Sequence, residues 1–570
     1  MISEKKQIQQ LAALLLKKGI TDIVISPGSR NAPMINTFAG CPEFDCRNVV
    51  DERSAAYFAL GLALKIQNPV ALVCSSGTAT LNYAPAVAEA FYQHIPLVLL
   101  TADRPGYWID QSENQCIRQT NIYSNFSKKN ISLPLGESEK ELWFAARQIN
   151  ECLNVAVSGS PGPVHINIPL EEPLHILTEA ELPDVKLIET SETYSIFSEA
   201  ESERLAREIQ QTKKILVVAG QQIPNPGLEN SLAAFCRKSG AAVLTEHLSN
   251  LRDEQFCSSV DLLMPAILND GIERFQPELL ISFGGTLVSK SIKQFLRKYK
   301  PLQHWHVSLP GEHFDTYQSL TKVVPMDAAD FFDVLQEKIQ QKKISYQQLW
   351  KNKELQVNRL RDQFISETGF CDLKVFGQLA KSIPGNSVIH PGNSSPVRYT
   401  LICEPVKNAM YFGNRGTSGI DGCVSTAVGF ASVSEKINTV IVGDLSVFYD
   451  SNALWNKYLG ANLRIIVIHN GGGNIFSMIK GPGESPAFNQ HFFAENTYKA
   501  EALAKAFGLD YFSAKNENEL TKALDDFYSP FQERPALLEV FTNAGTNTRV
   551  FGELFKNIIY NDNKTRMANH

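Results

Sequence analysis

The stretch NTVIVGDLSVFYD, residues 438–450, sets the apolar run Val440-Ile441-Val442 directly against Gly443-Asp444. A buried strand that ends on Gly-Asp delivers its carboxylate to the rim of a sheet, the edge at which α/β folds place ligands. A second apolar strand, LRIIVIH at residues 463–469, ends on Asn470 and the run Gly471-Gly472-Gly473. The helix-like SNALWNKYL between them predicts a parallel pair, so that Asp444 and Asn470 leave the sheet side by side. A carboxylate, an amide oxygen and a backbone carbonyl from a glycine run are hard oxygen donors of the kind Mg²⁺ takes. Glycine also lets backbone come close to a phosphate. Taken alone, Gly-Asp reads more simply as a sheet-edge turn with local hydrogen bonds. The spacing to Asn-Gly-Gly-Gly tips the reading toward a cation site.

Outward from this stretch, the same order of strand, glycine-bearing loop, helix and strand recurs. PVALVCSSGTATLNYAPAVAEAFYQHIPLVLLTADRP begins at residue 69, and KKILVVAGQQIPNPGLENSLAAFCRKSGAAVLTEH at residue 213. Three βαβ units far apart in a 570-residue chain predict an α/β protein of three doubly wound, parallel-sheet domains. The acidic, aromatic-poor TEAELPDVKLIETSET, residues 178–193, reads as a connector. The charged LQEKIQQKKISYQQLWKNKELQVNRL, residues 335–360, is either a second connector or a surface helix of the third domain. Domains are therefore expected at 1–180, 190–345 and 355–570.

Composition narrows the partners. With 44% hydrophobic residues, 20% charged residues and a net charge of −6, the chain has the makings of a large core and no basic surplus. Neither a nucleic acid nor a membrane is expected as a partner; small molecules and a second copy are. The ten cysteines are scattered singly, with no CxxC pair, and read as small core residues in a reducing compartment. LAALLL, residues 11–16, is too short for a signal-peptide core; flanked by Ser3 and Gly19 as caps, it predicts an amphipathic helix. No apolar stretch is long enough for a bilayer, and a cytoplasmic protein is expected.

Gly-Asp followed 26 residues after the Asp by Asn and a glycine run resembles the signature of the thiamine diphosphate enzymes. The resemblance implies that Asp444, Asn470 and the carbonyl of Gly472 hold a divalent metal, Mg²⁺ or Mn²⁺, on the coenzyme's diphosphate. It implies three domains: an N-terminal pyrimidine-binding one, a central α/β one and a C-terminal diphosphate-binding one. It also implies a glutamate from another domain that activates the coenzyme's pyrimidine ring. Glu52 in DERSAAYFALGLA, residues 51–63, is the obvious source, although an acidic residue there also simply suits a helix N-terminus. Thr78, Ser394, Ser418, Ile420, Leu445, Ser446, Asn474, Ile475 and Phe476 are implied as further coenzyme contacts, with Ile420 bending the coenzyme and Phe476 as readily a core residue. In this family the glutamate of one subunit faces the metal of another, so a homodimer or a dimer of dimers follows.

SPGSRNAP (26–33), LLTADRP (99–105), ENQCIRQ (113–119), GNSSPVR (392–398) and GNRGTSGIDG (413–422) resemble one branch of that family. In it, 2-oxoglutarate is decarboxylated and its four-carbon fragment added to isochorismate in menaquinone biosynthesis. Both substrates are dicarboxylates, which arginine binds with paired hydrogen bonds. The implied substrate residues are Ser29, Arg30, Arg104, Asn114, Gln115, Lys290, Arg398 and Arg415. Two positions depart from the pattern: His469 stands where the family often has an Asn, and Ser291 where some members have Arg.

Three rival readings compete with this one. GGTLVSKS, residues 284–291, misses a nucleotide phosphate loop by one residue, Ser289 replacing the second glycine. An acetolactate synthase or another 2-oxoacid decarboxylase handles smaller acids and has less need of several arginines. A non-catalytic scaffold has no need of Glu52, Asp444 and Asn470 together. His304 and His306 in QHWHVSL lack a third ligand and read as structural.

Overall fold

The computed structural model describes residues 1–568 other than 192, 269 and 480, with side chains as far as residue 560. All but two short strands among the described residues form three parallel sheets, in keeping with the three βαβ regions. The first has the spatial order Asp45–Asn48, Asp22–Ile25, Val70–Cys74, Leu97–Asp103, Val164–Pro169, Lys129–Ser132. The third runs Met410–Tyr411, Val388–Pro391, Asn438–Gly443, Leu463–His469, Ala536–Phe541, Asp510–Ala514. Counted in chain order within each sheet, both follow 2-1-3-4-6-5, so the two ends of the chain repeat one topology. The middle sheet, Ala242–Thr245, Ile215–Ala219, Leu279–Phe283, Gln303–Val307, Lys322–Val324, follows 2-1-3-4-5. Its central strands, like Val70–Cys74 and Leu463–His469, are apolar and buried on both faces, as helix-covered parallel strands must be.

The outer two domains meet through helices. Glu52–Ile66 begins on Asp51, whose carboxylate accepts the Ser54 N–H at 3.0 Å, and ends on Gln67 in the left-handed region. It is built largely of alanine, glycine and leucine, and it packs against Cys423–Ala431. The backbones all but touch: a Cβ on Gly61 would lie 2.0 Å from the Thr426 carbonyl, and one on Gly429 2.0 Å from that of Phe58. One hydrophobic cluster therefore runs from Val70 and Leu72 of the first sheet, through these helices, to Val440 and Val467 of the third. A second joins Leu216 and Leu280 of the middle sheet to Ile389, Ile441 and Leu538 of the third. The helix Ser345–Glu367 belongs to this second core, with Trp350 packed on Phe275. Its buried Arg361 reaches across to Glu404 at 3.1 Å and to the Ile402 carbonyl at 3.3 Å.

Two local expectations change. The first helix is Lys6–Lys17, starting after Lys5 with no side-chain cap, while Ser3 lies in a two-residue strand paired with Leu177–Thr178. Gly19, at φ +68°, does close it. SNALWNKYL is not a helix: the α-helical turns start earlier, at Asp444–Tyr449, and only Ser451–Leu454 continues as 3₁₀. The break falls at Asp450, whose buried carboxylate is drawn off to the Ser425 N–H and hydroxyl. Residues 178–191 and 193 of the expected connector are almost wholly irregular, and Glu192 lies outside the described residues. No helix among the described residues is long and apolar enough to cross a membrane.

Gly61→Val should lower stability by about 2–3 kcal/mol, since neither backbone can retreat. A thermal melt would read this as an earlier transition, whereas Gly552→Ala, inside the helix Ala544–Ala568 where a Cβ meets nothing within 4 Å, should leave it in place or move it slightly later.

Candidate active site

In the third sheet Gly443 stands opposite Ile468, so the next residues, Asp444 and then Asn470, do emerge together at the carboxyl edge. Strand Val388–Pro391 flanks the same pair on the other side, with the chain-order reversal between them. This is the switch point at which such sheets leave a crevice.

Asp444 is 1% exposed, with Asn496 Nδ2 at 3.3 Å and His469 Nε2 at 3.9 Å from its Oδ2. Burial raises its pKa to about 6, against the pull of the His469 charge and of backbone N–H groups. His469 is itself held by Glu539, Nδ1 to Oε1, at 2.7 Å. Burial opposes its charge, but the Glu539 hydrogen bond and the two carboxylates outweigh that and raise its pKa. The histidine lies beside Asp444 and, as a nitrogen donor, takes no place in the oxygen-donor set.

Asn470 Nδ2 donates to Asp372 Oδ2 at 3.0 Å, and its Oδ1 carries no hydrogen bond among the described residues. Gly472 has φ +141°, and a Cβ there would lie 2.6 Å from the Phe493 carbonyl and 2.8 Å from that of Ala494. Only glycine fits. Its carbonyl accepts the Asn474 N–H at 2.9 Å and keeps a second lone pair. Asn474 is 2% exposed; its Oδ1 takes the Ser477 and Thr548 hydroxyls, while its Nδ2 is buried without a partner. A buried amide N–H₂ left unpaired beside a glycine loop is a donor awaiting an anion.

Carboxylate, amide oxygen, carbonyl and an orphaned donor fit a divalent ion carrying a diphosphate. Among the described residues no three His, Cys, Asp or Glu side chains cluster as an alternative metal site.

The remaining expected coenzyme contacts surround this edge unevenly. Ser446 Oγ donates to the Ile420 carbonyl at 3.2 Å. Leu445, Ile420, Ile475 and Phe476 are half-buried, and Phe476 packs on Phe492. Ser394 and Ser418 take φ of +77° and +65°, strained values for side-chain-bearing residues at loop turns. Thr78 is exposed at the head of the short helix Thr78–Asn82. Glu52, at the start of its helix, is half-exposed, with Asn82 Nδ2 at 3.2 Å.

The expected substrate residues fall into two clusters. Arg30 and Arg104 lie within electrostatic reach of each other; burial first, then the Arg104 charge, lowers the Arg30 pKa. Arg30 holds the Leu170 carbonyl and Glu172, and Arg104 holds the Asn114 carbonyl and Glu113. Ser29 and Gln115 are exposed nearby in sequence, the Gln115 carbonyl taking the Ser76 hydroxyl at 2.8 Å. Arg398 and Arg415 form the second cluster, and both have a buried Nε with no partner. Lys290 starts the helix Lys290–Lys298 and is exposed; Lys293, one turn on, is partly buried and within electrostatic reach of Arg415.

Several contributors were absent from the sequence reading. Glu89, fully buried in the first domain, accepts the N–H groups of Gly416 and Thr417 at 2.7 Å each, clamping the loop that carries Arg415 and Ile420. Asp372, Asn496 and Glu539 support the edge itself. None sits in a motif, and Cys371-Asp372-Leu373-Lys374 reads as any helix start. The near-miss phosphate loop is closed: the Val288 and Ser289 N–H groups donate to the buried Glu246 carboxylate at 2.8 and 2.7 Å. His304 and His306 share the Ser282 hydroxyl, as a structural pair.

Comparison with known proteins agrees with this geometry. Residues 6–122 match the thiamine pyrophosphate enzyme N-terminal TPP binding domain, 188–390 the middle domain of thiamine pyrophosphate enzymes, and 397–540 the C-terminal TPP binding domain. A benzoylformate decarboxylase from Polynucleobacter necessarius shares the fold at a TM-score of 0.71 and 15% identity, over 95% of this chain and 99% of that one. A putative thiamin diphosphate-dependent enzyme from Mycobacterium smegmatis does so at 0.72 and 16%, with the same coverage. Fold and crevice are those of a thiamine pyrophosphate-dependent enzyme. The chain is 42% identical to the 2-succinyl-5-enolpyruvyl-6-hydroxy-3-cyclohexene-1-carboxylate synthase of Flavobacterium johnsoniae, over 96% of this chain and 98% of the relative. It is 38% identical to that of Bacteroides thetaiotaomicron, over 97% and 99%. The chain belongs to this synthase family.

Burial pushes the Asp444 pKa up to about 6 and only its carboxylate form can ligate a cation, so protons would compete with a metal held there below that value. Mn²⁺ affinity, followed by the paramagnetic signal of the free ion, should be level above pH 7 and fall by about tenfold per unit below pH 6.

Proposed function

We propose that this chain decarboxylates 2-oxoglutarate and adds the four-carbon fragment to isochorismate, forming 2-succinyl-5-enolpyruvyl-6-hydroxy-3-cyclohexene-1-carboxylate in the menaquinone pathway of the cytoplasm. What carries the reading is the oxygen-donor edge of Asp444, Asn470 and Gly472, found in a chain related to these synthases along nearly its whole length. In this reading residues 1–180, 190–345 and 355–570 are the pyrimidine-binding, central and diphosphate-binding domains.

Asp444, Asn470 Oδ1 and the Gly472 carbonyl would hold Mg²⁺ or Mn²⁺, and Asn474 Nδ2 would donate to a phosphate oxygen. When bound, thiamine diphosphate supplies a thiazolium carbon able to add to the keto group and to accept the electron pair released with CO₂. The Glu52 carboxyl would share a proton with a pyrimidine ring nitrogen of the bound coenzyme, the contact that would activate it. Half-buried Ile420, Ile475 and Phe476 give it an apolar floor. The guanidinium groups of Arg30, Arg104, Arg398 and Arg415 neutralise the substrate carboxylates, the unpaired Nε atoms of the last two being the readiest donors. Ser29, Asn114, Gln115 and Lys290 add neutral donors and a point charge at the rim.

A second copy completes the site. Around Glu52 the chain leaves apolar side chains exposed: Val50 two residues before it, Leu81 next to its hydrogen-bond partner Asn82, and Tyr449 held by Arg53. Arg53 ties part of this face together, donating to the Tyr449 carbonyl at 2.9 Å and stacking on its ring. Covering such a patch with another copy buries Glu52 and removes the apolar surface from water together.

Purified protein given thiamine diphosphate, Mg²⁺ and 2-oxoglutarate should consume added isochorismate, and Glu52→Gln should abolish this while leaving a folded protein. Near-normal turnover by Glu52→Gln would contradict the assignment. Mixing inactive Glu52→Gln and Asp444→Ala chains under conditions of subunit exchange should restore roughly a quarter of wild-type activity, because half the dimers then hold one intact site. If each chain builds its own site, the mixture stays inactive.

A further inference from the structure

An Asn side chain is nearly symmetric in shape but not in chemistry: turned by 180°, it offers a cation N–H₂ instead of oxygen. Something must therefore decide which end of Asn470 faces the metal. We propose that Asp372 is that positioning residue: by accepting the Asn470 amide N–H, it leaves Oδ1 as the end presented to the cation. The inference rests on the reading that Asp444, Asn470 and Gly472 hold the metal.

An ionised carboxylate is an acceptor only, so against Asp372 Oδ2 the amide nitrogen is the one end that can make the 3.0 Å bond. Asp372 is itself held in place. Its other oxygen accepts the Thr542 hydroxyl at 2.5 Å, and that hydroxyl oxygen accepts Asn547 Nδ2 at 3.0 Å. Asn547 Oδ1 then returns to accept the Asp372 backbone N–H at 2.9 Å. Every donor in this ring has one direction to point, and Asp372 is wholly buried, so water cannot substitute for any of them. Asp372 also sits in the first turn of the helix Asp372–Ser382, where the helix dipole favours the anion. Among the described residues no cationic side chain is one of its hydrogen-bond partners. Asp444, a second buried carboxylate, adds to the local negative charge. A divalent cation is the charge that offsets both.

Asp372→Asn keeps the shape and removes the instruction, since an amide meets an amide in either orientation. Titrating Mn²⁺ in the presence of thiamine diphosphate, this variant should bind at least about tenfold more weakly than the parent, with the melting temperature of the metal-free protein unchanged. The exchange Asp372→Asn with Asn470→Asp reverses donor and acceptor, again leaving one oxygen for the cation, and should recover most of the lost affinity. A parental Mn²⁺ affinity in Asp372→Asn, or no recovery in the exchange, overturns the proposal. Asn470→Ala separates the two levels. If it too binds Mn²⁺ as the parent does, the cage itself is wrong and the proposal falls with it. If it binds weakly while Asp372→Asn does not, only the positioning role fails. Should Asp372→Asn not accumulate as folded protein, Thr542→Val reads the same coupling: a weakening of a few-fold is expected, and an unchanged affinity overturns it.

Discussion

The contact between helices Glu52–Ile66 and Cys423–Ala431 governs the rest of the molecule. Two sheets of one topology, from opposite ends of the chain, are joined where Gly61 and Gly429 let backbone meet backbone. That closeness leaves little freedom in how the outer domains sit on each other. The same contact places the head of one helix, with Asp51 and Glu52, beside Tyr449 and Asn452 of the other domain. The clamp of Glu89 on Gly416 and Thr417 is a second fixing point of the same interface. Rigidity here is what gives the crevice its shape before any ligand arrives.

Charge is arranged against that frame with some economy. Two buried carboxylates, Asp372 and Asp444, flank one amide, while His469 and Glu539 form a separate pair alongside. On the substrate side the guanidinium groups divide. Arg30 and Arg104 are already engaged by Glu172 and Glu113, whereas Arg398 and Arg415 keep donors unspent. An incoming dicarboxylate has to displace the first pair's acidic neighbours. The second pair is not free of acidic neighbours either, since Glu246 and Glu89 lie within electrostatic reach of Arg415.

Much of this was legible in the residues because it depended on local chemistry. Apolar runs ending in Gly-Asp and Asn-Gly-Gly-Gly marked the carboxyl edge, since strand burial and glycine's backbone freedom leave a direct trace in sequence. The three βαβ units were visible for the same reason. SNALWNKYL misled because helix propensity was overruled by a distant partner, Ser425, drawing off Asp450. Asp372, Glu89 and Glu539 were invisible because their roles exist only between segments 70 to 327 residues apart, and a single acidic residue carries no mark of what it will face. The N-terminal cap was misplaced by two residues for a simpler reason: Ser3 was taken up by strand pairing.

The middle domain keeps the outline of a nucleotide cradle, a strand, a glycine turn and a helix. Yet its inviting amides are spent internally on Glu246. That carboxylate works as an internal plug: no phosphate can lodge there without evicting it. The same two bonds pin the start of the helix Lys290–Lys298, whose Lys293 is thereby kept within electrostatic reach of Arg415 in the neighbouring domain.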